Sequence, residues 1–227
     1  MTFPRPPVAR SVLGALIVLA LDAALLALGF GDASMLVRDP RAIALLVVWG
    51  TAGVTLALLR PARGQDVTSA RPDALVMLLL FVLPLVAAPL GAFGARRALY
   101  VPHHANTISW LGIALVVGGL WLRVAAMARL GRRFAPIVAV QSDHALETGG
   151  SYAFVRHPGY LGALAACLGG SLAFGSLLAL PVPALMLVAQ LVRVRREEAL
   201  LAARFGAQWE AYAARTGALL PRLPGGR

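Results

Sequence analysis

Apolar residues along this chain fall into long runs separated by short, arginine-bearing polar stretches. Four runs, near 11–30, 42–59, 74–94 and 107–128, approach the roughly 20 residues that a helix needs to cross a hydrocarbon layer. A fifth begins at Pro158, a residue suited to a first helical turn, and reaches Phe174, after which Gly175-Ser176 permits a tight reversal. The sixth, 177–194, carries Pro181 and Pro183 early, where a missing amide donor costs least. The fifth and sixth runs are therefore expected to form a helical hairpin. From 195 to 215 the pattern becomes amphipathic, with Leu201, Phe205, Trp209 and Tyr212 on one stripe and Arg195, Arg196 and Gln208 elsewhere. The expected fold is all-α: a polytopic membrane helix bundle of about six transmembrane helices plus a C-terminal amphipathic cytosolic helix lying against the bundle or the membrane surface. Arg5 and Arg10 precede the first run as in a signal peptide, but the run is longer than a signal core and no small-residue cleavage site follows. It reads as a helix.

Composition strengthens this picture. Of 227 residues 59% are hydrophobic, with a mean hydropathy of +0.76, more apolar surface than one soluble core of this size can hide. The net charge of +11 resembles a nucleic-acid signal, yet every basic residue is Arg, and the arginines lie mostly between and after the apolar runs. Anchoring at a membrane surface fits better than a phosphate groove, and no stacking or groove-reading motif is present, so no nucleic-acid partner is expected. The Arg bias points to a GC-rich, bacterial source. Arg5, Arg10, Arg60, Arg63, Arg71, Arg129, Arg132, Arg133 and Arg156 fall on one side of the alternating spans, against Arg38, Arg41, Arg96 and Arg97 on the other. The positive-inside rule makes the richer side cytoplasmic, which places both termini in the cytoplasm of a bacterial inner membrane. Cys167 lies alone inside an apolar run, so neither a disulfide framework nor a Cys-based metal site is expected.

Polar chemistry concentrates in the C-terminal half. Asp143-His144-Ala145-Leu146-Glu147-Thr148-Gly149-Gly150-Ser151-Tyr152 leads to Arg156-His157-Pro158-Gly159-Tyr160-Leu161-Gly162 at the start of a membrane helix. A helix N-terminus offers free N–H groups and the positive end of a dipole to an anion, and Arg156 can add a bidentate clamp. Gly159 and Gly162 would let a neighbouring helix or a flat ligand approach closely. The plainer alternative is that Arg156 and His157 snorkel at the interface and Tyr160 sits in an aromatic belt. The second constellation is Arg193-Val194-Arg195-Arg196-Glu197-Glu198, where the sixth run leaves the membrane. Paired carboxylates beside three arginines at an interface must pair or bind something polar, a surface salt-bridge network being the alternative. A hairpin brings the start of its first helix and the end of its second to the same membrane face, so Arg156-His157 and Arg193-Glu197 can line one pocket.

Taken in order, His144 and Leu146, Gly149 to Tyr152, Arg156-His157-Pro158-Gly159-Tyr160, Arg193 with Glu197-Glu198, Phe205-Gly206 and Tyr212 resemble the isoprenylcysteine carboxyl methyltransferase family, itself similar to phospholipid N-methyltransferases. The resemblance covers residues 107–222; residues 1–106 form N-terminal transmembrane helices outside it, and 223–227 a frayed tail. It implies an integral membrane methyltransferase that uses S-adenosylmethionine on a lipophilic small-molecule or lipid acceptor within membrane lipids, the acceptor group being a carboxylate, an amine or a thiol. It further implies that His144, Leu146, Gly149, Tyr152, His157, Pro158 and Tyr160 surround the cofactor while Glu197 and Glu198 close the pocket. Arg156 and Arg193 are then expected to orient the acceptor. Family sequences usually carry Gly-Pro-Tyr where this chain has Gly149-Gly150-Ser151-Tyr152.

Two other readings compete. One is an NADPH-dependent membrane reductase of the steroid-reductase type, whose C-terminal region is similar; His144-x-Leu146 and the tail from Glu197 to Tyr212 favour methyl transfer. The other is a non-catalytic scaffold or small transporter, against which stands the scarcity of mid-membrane polar residues beyond Asp22 and Gln190. Asp22 has no basic partner nearby in sequence, and His103-His104 lacks further ligands, so no metal is expected. Gly29-Phe30-Gly31 ends an apolar run rather than following a strand, and is no dinucleotide fingerprint.

Overall fold

A computed structural model describes residues 8–59, 68–69, 73–99, 104–131, 139–140 and 146–222. Backbone amides inside a bilayer have no water to bond, so each apolar run closes its hydrogen bonds within itself as a helix. The helices are α1 (Val8–Phe30), the short α2 (Met35–Arg38), α3 (Pro40–Leu59), α4 (Ala74–Arg96), α5 (Ala105–Leu130), α6 (Pro158–Leu172), α7 (Pro181–Phe205) and α8 (Ala207–Arg215). Two antiparallel strands of two residues each, β1 (Thr68–Ser69) and β2 (Ala139–Val140), tie the α3–α4 connection to the α5–α6 connection. Apart from this small clip, the chain is an all-helical integral membrane protein: α1, α3, α4 and α5 are each long and apolar enough to cross a bilayer. Their outward faces carry large apolar side chains such as Leu28 and Trp121, more than two-thirds exposed at 72% and 71%, a surface suited to lipid. At 15 residues, α6 is only about 22 Å long.

One expected boundary moves. The sixth apolar run does not give way at 195 to a separate amphipathic helix; α7 continues unbroken to Phe205. The intervening Arg, Glu, Ala and Leu residues are all strong helix formers, so nothing stops the helix until Gly206, whose φ of +48° breaks it. The nine-residue α8 then folds back and buries Trp209 and Tyr212.

The seam between α5 and α6 fixes the C-terminal half. The two helices run antiparallel, and glycines seven residues apart on each face one another: Gly112 meets Gly169, and Gly119 meets Gly162. A Cβ placed on Gly112 would lie 2.7 Å from the Gly169 carbonyl oxygen, and one on Gly119 would lie 2.5 Å from that of Gly162. The reverse substitutions would strike the Gly119 and Gly112 carbonyls. Lipid tails are as apolar as side chains, so helix association in a membrane relies on such backbone-to-backbone approach. Around this pair, α4 packs on α6 and α7, α3 on α5, and α1 on α3 and α4.

The end of the bundle that carries Phe30 and Phe174 is closed by one polar knot. Asp39, 4% exposed, accepts hydrogen bonds from Arg41 Nε and Nη2 at 2.9 and 2.6 Å. Arg41 also donates to Ser109 Oγ of α5 at 3.3 Å and lies over the Phe174 ring. Burial opposes ionisation of Asp39, but the hydrogen bonds from Arg41 outweigh it and hold the carboxyl below its usual range. This knot staples α3 to the C-terminal helices at the end opposite the start of α6.

Candidate active site

At the other end of the bundle, the first turn of α6 faces the charged half of α7. Pro158, at the first helical position and without an amide hydrogen to lose, starts α6 directly after Arg156-His157. Two linked hydrogen-bond sets result. In the first, Arg156 Nε donates to Glu198 Oε1 at 2.7 Å, and His157 Nε2 lies 3.2 Å from the same oxygen. In the second, Arg193 Nε donates to the Tyr160 hydroxyl, which donates in turn to Glu197 Oε2 at 2.9 Å. The Arg193 guanidinium also lies 5.8 Å from the Tyr160 ring centroid and touches Met77 Sδ of α4. The His157 and Tyr160 rings are 5.6 Å apart. Arg156, His157, Tyr160, Arg193, Glu197 and Glu198 thus meet in one cluster, as the hairpin geometry requires.

The electrostatics follow from these contacts. Burial raises the cost of ionising Glu198, but hydrogen bonds from His157 and Arg156 more than offset it, bringing the carboxyl from 4.5 to about 2. Glu198 is therefore ionised throughout the physiological range. Burial pushes the Tyr212 hydroxyl up to about 12 and raises Tyr152 as well, so both are neutral hydrogen-bond donors.

Other sequence candidates take different places. Tyr152 is buried in the 3-10 turn Gly150–Ala153, its hydroxyl 3.4 Å from the Ala126 carbonyl and its own carbonyl accepting from Tyr212 at 2.7 Å. It packs the turn between α5 and α8. Gly149 lies under the Arg129 guanidinium, which a Cβ would strike; Arg129 pairs with Glu147 at 3.1 Å, and Glu147 accepts the Gly149 amide at 3.0 Å. Gly150, at φ +58°, takes a left-handed conformation that only a residue without Cβ adopts freely. Pro158 is fully buried and Leu146 partly so. Gly162 meets α5 rather than open space, whereas beside Gly159 the nearest described atom to a Cβ is Ala126 Cβ at 4.0 Å. His144 lies outside the described residues, as do Asp143, His103 and the arginines at 5, 60, 63, 71, 132 and 133. Among the described residues, no three His, Cys, Asp or Glu side chains gather as a metal cluster would.

Three participants escape a reading of the sequence. Segment 216–218 runs beside 155–157: Arg156 N donates to the Gly217 carbonyl at 2.8 Å and His157 N to that of Ala218 at 3.0 Å. Arg156 Nη1 also donates to the carbonyls of Ala213, at 3.2 Å, and Thr216. Arg156 is therefore a clamp between α6, α7 and the end of α8, backed by the Trp209 ring. Gln190, fully buried, donates to the Tyr160 carbonyl at 3.1 Å, while its Oε1 has no partner among the described residues. Arg123, within α5, donates to the Gly159 carbonyl at 3.0 Å. None of the three has a local sequence signature, because each partner lies 30 or more residues away.

With this geometry in hand, comparison with known proteins is specific. Residues 110–203 match the model of the isoprenylcysteine carboxyl methyltransferase family. A protein-S-isoprenylcysteine O-methyltransferase of Schizosaccharomyces pombe is 36% identical over 111 residues, which cover 47% of this chain and 46% of the relative. A probable protein-S-isoprenylcysteine O-methyltransferase of Oryza sativa subsp. indica is 31% identical over 117 residues, covering 50% and 61%. The Saccharomyces cerevisiae protein-S-isoprenylcysteine O-methyltransferase is 34% identical over 114 residues, covering 49% and 48%. The matches thus span about half the length of these relatives. The solved structure of a eukaryotic intramembrane Ras methyltransferase superposes with a TM-score of 0.55 at 22% identity, covering 90% of this chain and 75% of that one, which establishes a common fold. All of these named source organisms are eukaryotic, and they lend no support to the bacterial origin suggested by the arginine bias.

Proposed function

From the match of residues 110–203 to the model of the isoprenylcysteine carboxyl methyltransferase family, we propose that this chain is an S-adenosylmethionine-dependent methyltransferase acting on a carboxylate carried by a lipophilic acceptor. The observation that carries the reading is the joined cluster of Arg156, His157, Tyr160, Arg193, Glu197 and Glu198 inside the matched segment. The names of the relatives supply the acceptor group: isoprenylcysteine O-methylation puts the methyl on oxygen.

The donor set suits the cofactor. Glu197 commits Oε2 to Tyr160, and Oε1 accepts no hydrogen bond from the described residues, leaving a carboxylate oxygen for hydroxyl or ammonium donors. His157, Glu197 and Glu198 would hold the cofactor, with Leu146, Gly149, Tyr152, Pro158 and Tyr160 shaping the wall. When bound, S-adenosylmethionine supplies an electrophilic methyl on a sulfonium. An acceptor carboxylate is ionised near neutral pH, so the protein removes no proton; its task is to orient the two reactants and exclude water, which would otherwise stabilise the separated charges. Arg193, fixed by Tyr160 and Met77, orients the acceptor. Arg156 acts through Glu198, holding that carboxylate ionised and in place.

We read α6 and the apolar first half of α7 as the fifth and sixth spans, with local bilayer thinning accommodating the short α6. The arginine asymmetry puts the cluster and both termini on the cytoplasmic side, with α8 as a cytosolic helix. Calorimetric titration of the detergent-purified chain with S-adenosylhomocysteine tests the reading: saturable binding, lost in His157→Ala and Glu197→Ala, is expected. A folded wild type that binds NADPH and not S-adenosylhomocysteine would replace it with the reductase.

A further inference from the structure

Arg123 stands seven residues before the end of α5, about 10 Å along the helix from that end. A guanidinium at that depth is expensive unless its charge is answered. Among the described residues its one hydrogen bond goes to a neutral acceptor, the Gly159 carbonyl at 3.0 Å, and no carboxylate pairs with it: Glu198 takes Arg156 and His157, and Glu197 takes Tyr160. A second cation, Arg193, is joined to the same turn, donating to the hydroxyl of Tyr160 next to Gly159 in the chain. Two arginines near one another in the membrane layer repel, and the five N–H groups of a guanidinium exceed the acceptors the described residues offer Arg123.

The surroundings are shaped for an occupant. Gly162 admits the α5 backbone so closely that a Cβ there would lie 2.8 Å from Arg123 N, which fixes Arg123 against the first turn of α6. Among the described residues Gly159 leaves space beside the guanidinium: a methyl group added to its Cα would find no described atom nearer than Ala126 Cβ at 4.0 Å. One turn of α7 from Arg193, Oε1 of the fully buried Gln190 has no partner among the described residues and calls for a donor.

We propose that Arg123 and Arg193 form an anion site beside Gly159, which holds the carboxylate of the lipophilic acceptor, and that Gln190 Oε1 receives a donor from the same molecule. The inference rests on the proposed methyl transfer and adds to it a specificity residue. An acceptor with a carboxylate next to an N–H satisfies Arg123 and Gln190 at once and offsets the repulsion between the two guanidiniums; a neutral headgroup leaves Arg123 unanswered.

The test uses the full chain in detergent with N-acetyl-S-farnesylcysteine as acceptor probe. Its Kd is measured by calorimetry in the presence of S-adenosylhomocysteine, and its KM in methyl transfer. Arg123→Gln is expected to weaken both by tenfold or more while the Kd of S-adenosylhomocysteine stays within twofold, and Arg123→Lys to restore part of the loss. Gly159→Leu, whose Cβ would come no nearer than 4.0 Å to any described atom, should weaken the acceptor in the same way, and keeps the proposal open to refutation if Arg123 variants do not fold. Unchanged acceptor affinity in the folded variants, or equal weakening of acceptor and S-adenosylhomocysteine, overturns the anion site while leaving the methyltransferase reading intact. Absence of S-adenosylhomocysteine binding by the wild type removes both.

Discussion

The glycine seam between α5 and α6 makes a quantitative prediction with its own internal control. In Gly119→Ala the new methyl carbon would sit 2.5 Å from the Gly162 oxygen, 2.6 Å from Ala166 N and 3.1 Å from Ala165 Cβ. The two nearest atoms are backbone, so no side-chain rotation relieves the overlap; the helices must separate by the better part of an ångström. Overpacking of this kind costs about 1–3 kcal/mol. One position earlier, a Cβ on Gly118 meets no described residue within 4 Å, and Gly118→Ala should be neutral or, from helix propensity alone, stabilising by up to about 1 kcal/mol. Both substitutions add one methyl to the same turn of the same helix, so their difference reports the seam and nothing else. A melting series in detergent, followed by near-ultraviolet circular dichroism, should place Gly119→Ala several degrees below wild type and Gly118→Ala at or above it. Gly162→Ala presses on the same gap from the other side. The double variant with Gly119→Ala should therefore cost less than the sum of the singles. Coincident melting of Gly118→Ala and Gly119→Ala would refute the close approach of α5 and α6.

Two further outcomes concern the site and one the opposite end of the bundle. Glu198→Gln removes the charge that Arg156 and His157 answer, and should destabilise the chain by roughly 1–3 kcal/mol, below the cost of breaking a fully buried pair because Glu198 is a quarter exposed. The folded-state pKa of Glu198 is depressed from 4.5 to about 2, so its stabilisation is complete above 4.5 and lost as pH falls through 2; in melts at stepped pH the gap between wild type and Glu198→Gln should close over that window. Tyr160→Phe severs the link from Arg193 to Glu197 and should lower kcat about tenfold for a stability loss of about 1 kcal/mol, read by parallel kinetics and melting. Arg41→Ala leaves the buried Asp39 unanswered and should destabilise by about 3 kcal/mol, yet S-adenosylhomocysteine affinity in the folded fraction should hold, because the knot lies at the other end of the bundle.

Local rules carried much of the architecture. The apolar runs located α1, α3, α4 and α5 to within a few residues, and Pro158 marked a helix start because a proline ring fits where no amide donor is needed; the sixth run was expected from 177, but α7 begins only at Pro181. The charged groups Arg156-His157 and Arg193 to Glu198 met once the hairpin closed. Information failed where partners are distant. Arg156 reads in sequence as a clamp for a ligand, but Glu198, Ala213 and Thr216, which occupy its donors, lie 42 to 60 residues on. Arg123 reads as a single arginine in an apolar run; its meaning depends on Gly159, 36 residues away. The change of character at 195 suggested a helix boundary, although polarity does not break a helix and Gly206 does. The pairing of Gly112 with Gly169 and Gly119 with Gly162 needed the register of two helices, which no single helix specifies.

Methyl transfer can be followed on the methyl group itself. The purified chain, S-adenosylmethionine tritiated in its methyl, and N-acetyl-S-farnesylcysteine should yield an organic-soluble product whose label mild alkali releases as volatile methanol, the behaviour of a carboxyl ester. Label that enters the product but resists alkali would move the methyl to nitrogen or sulfur and contradict the carboxylate; no label in any lipophilic product, from a folded protein, would contradict methyl transfer altogether.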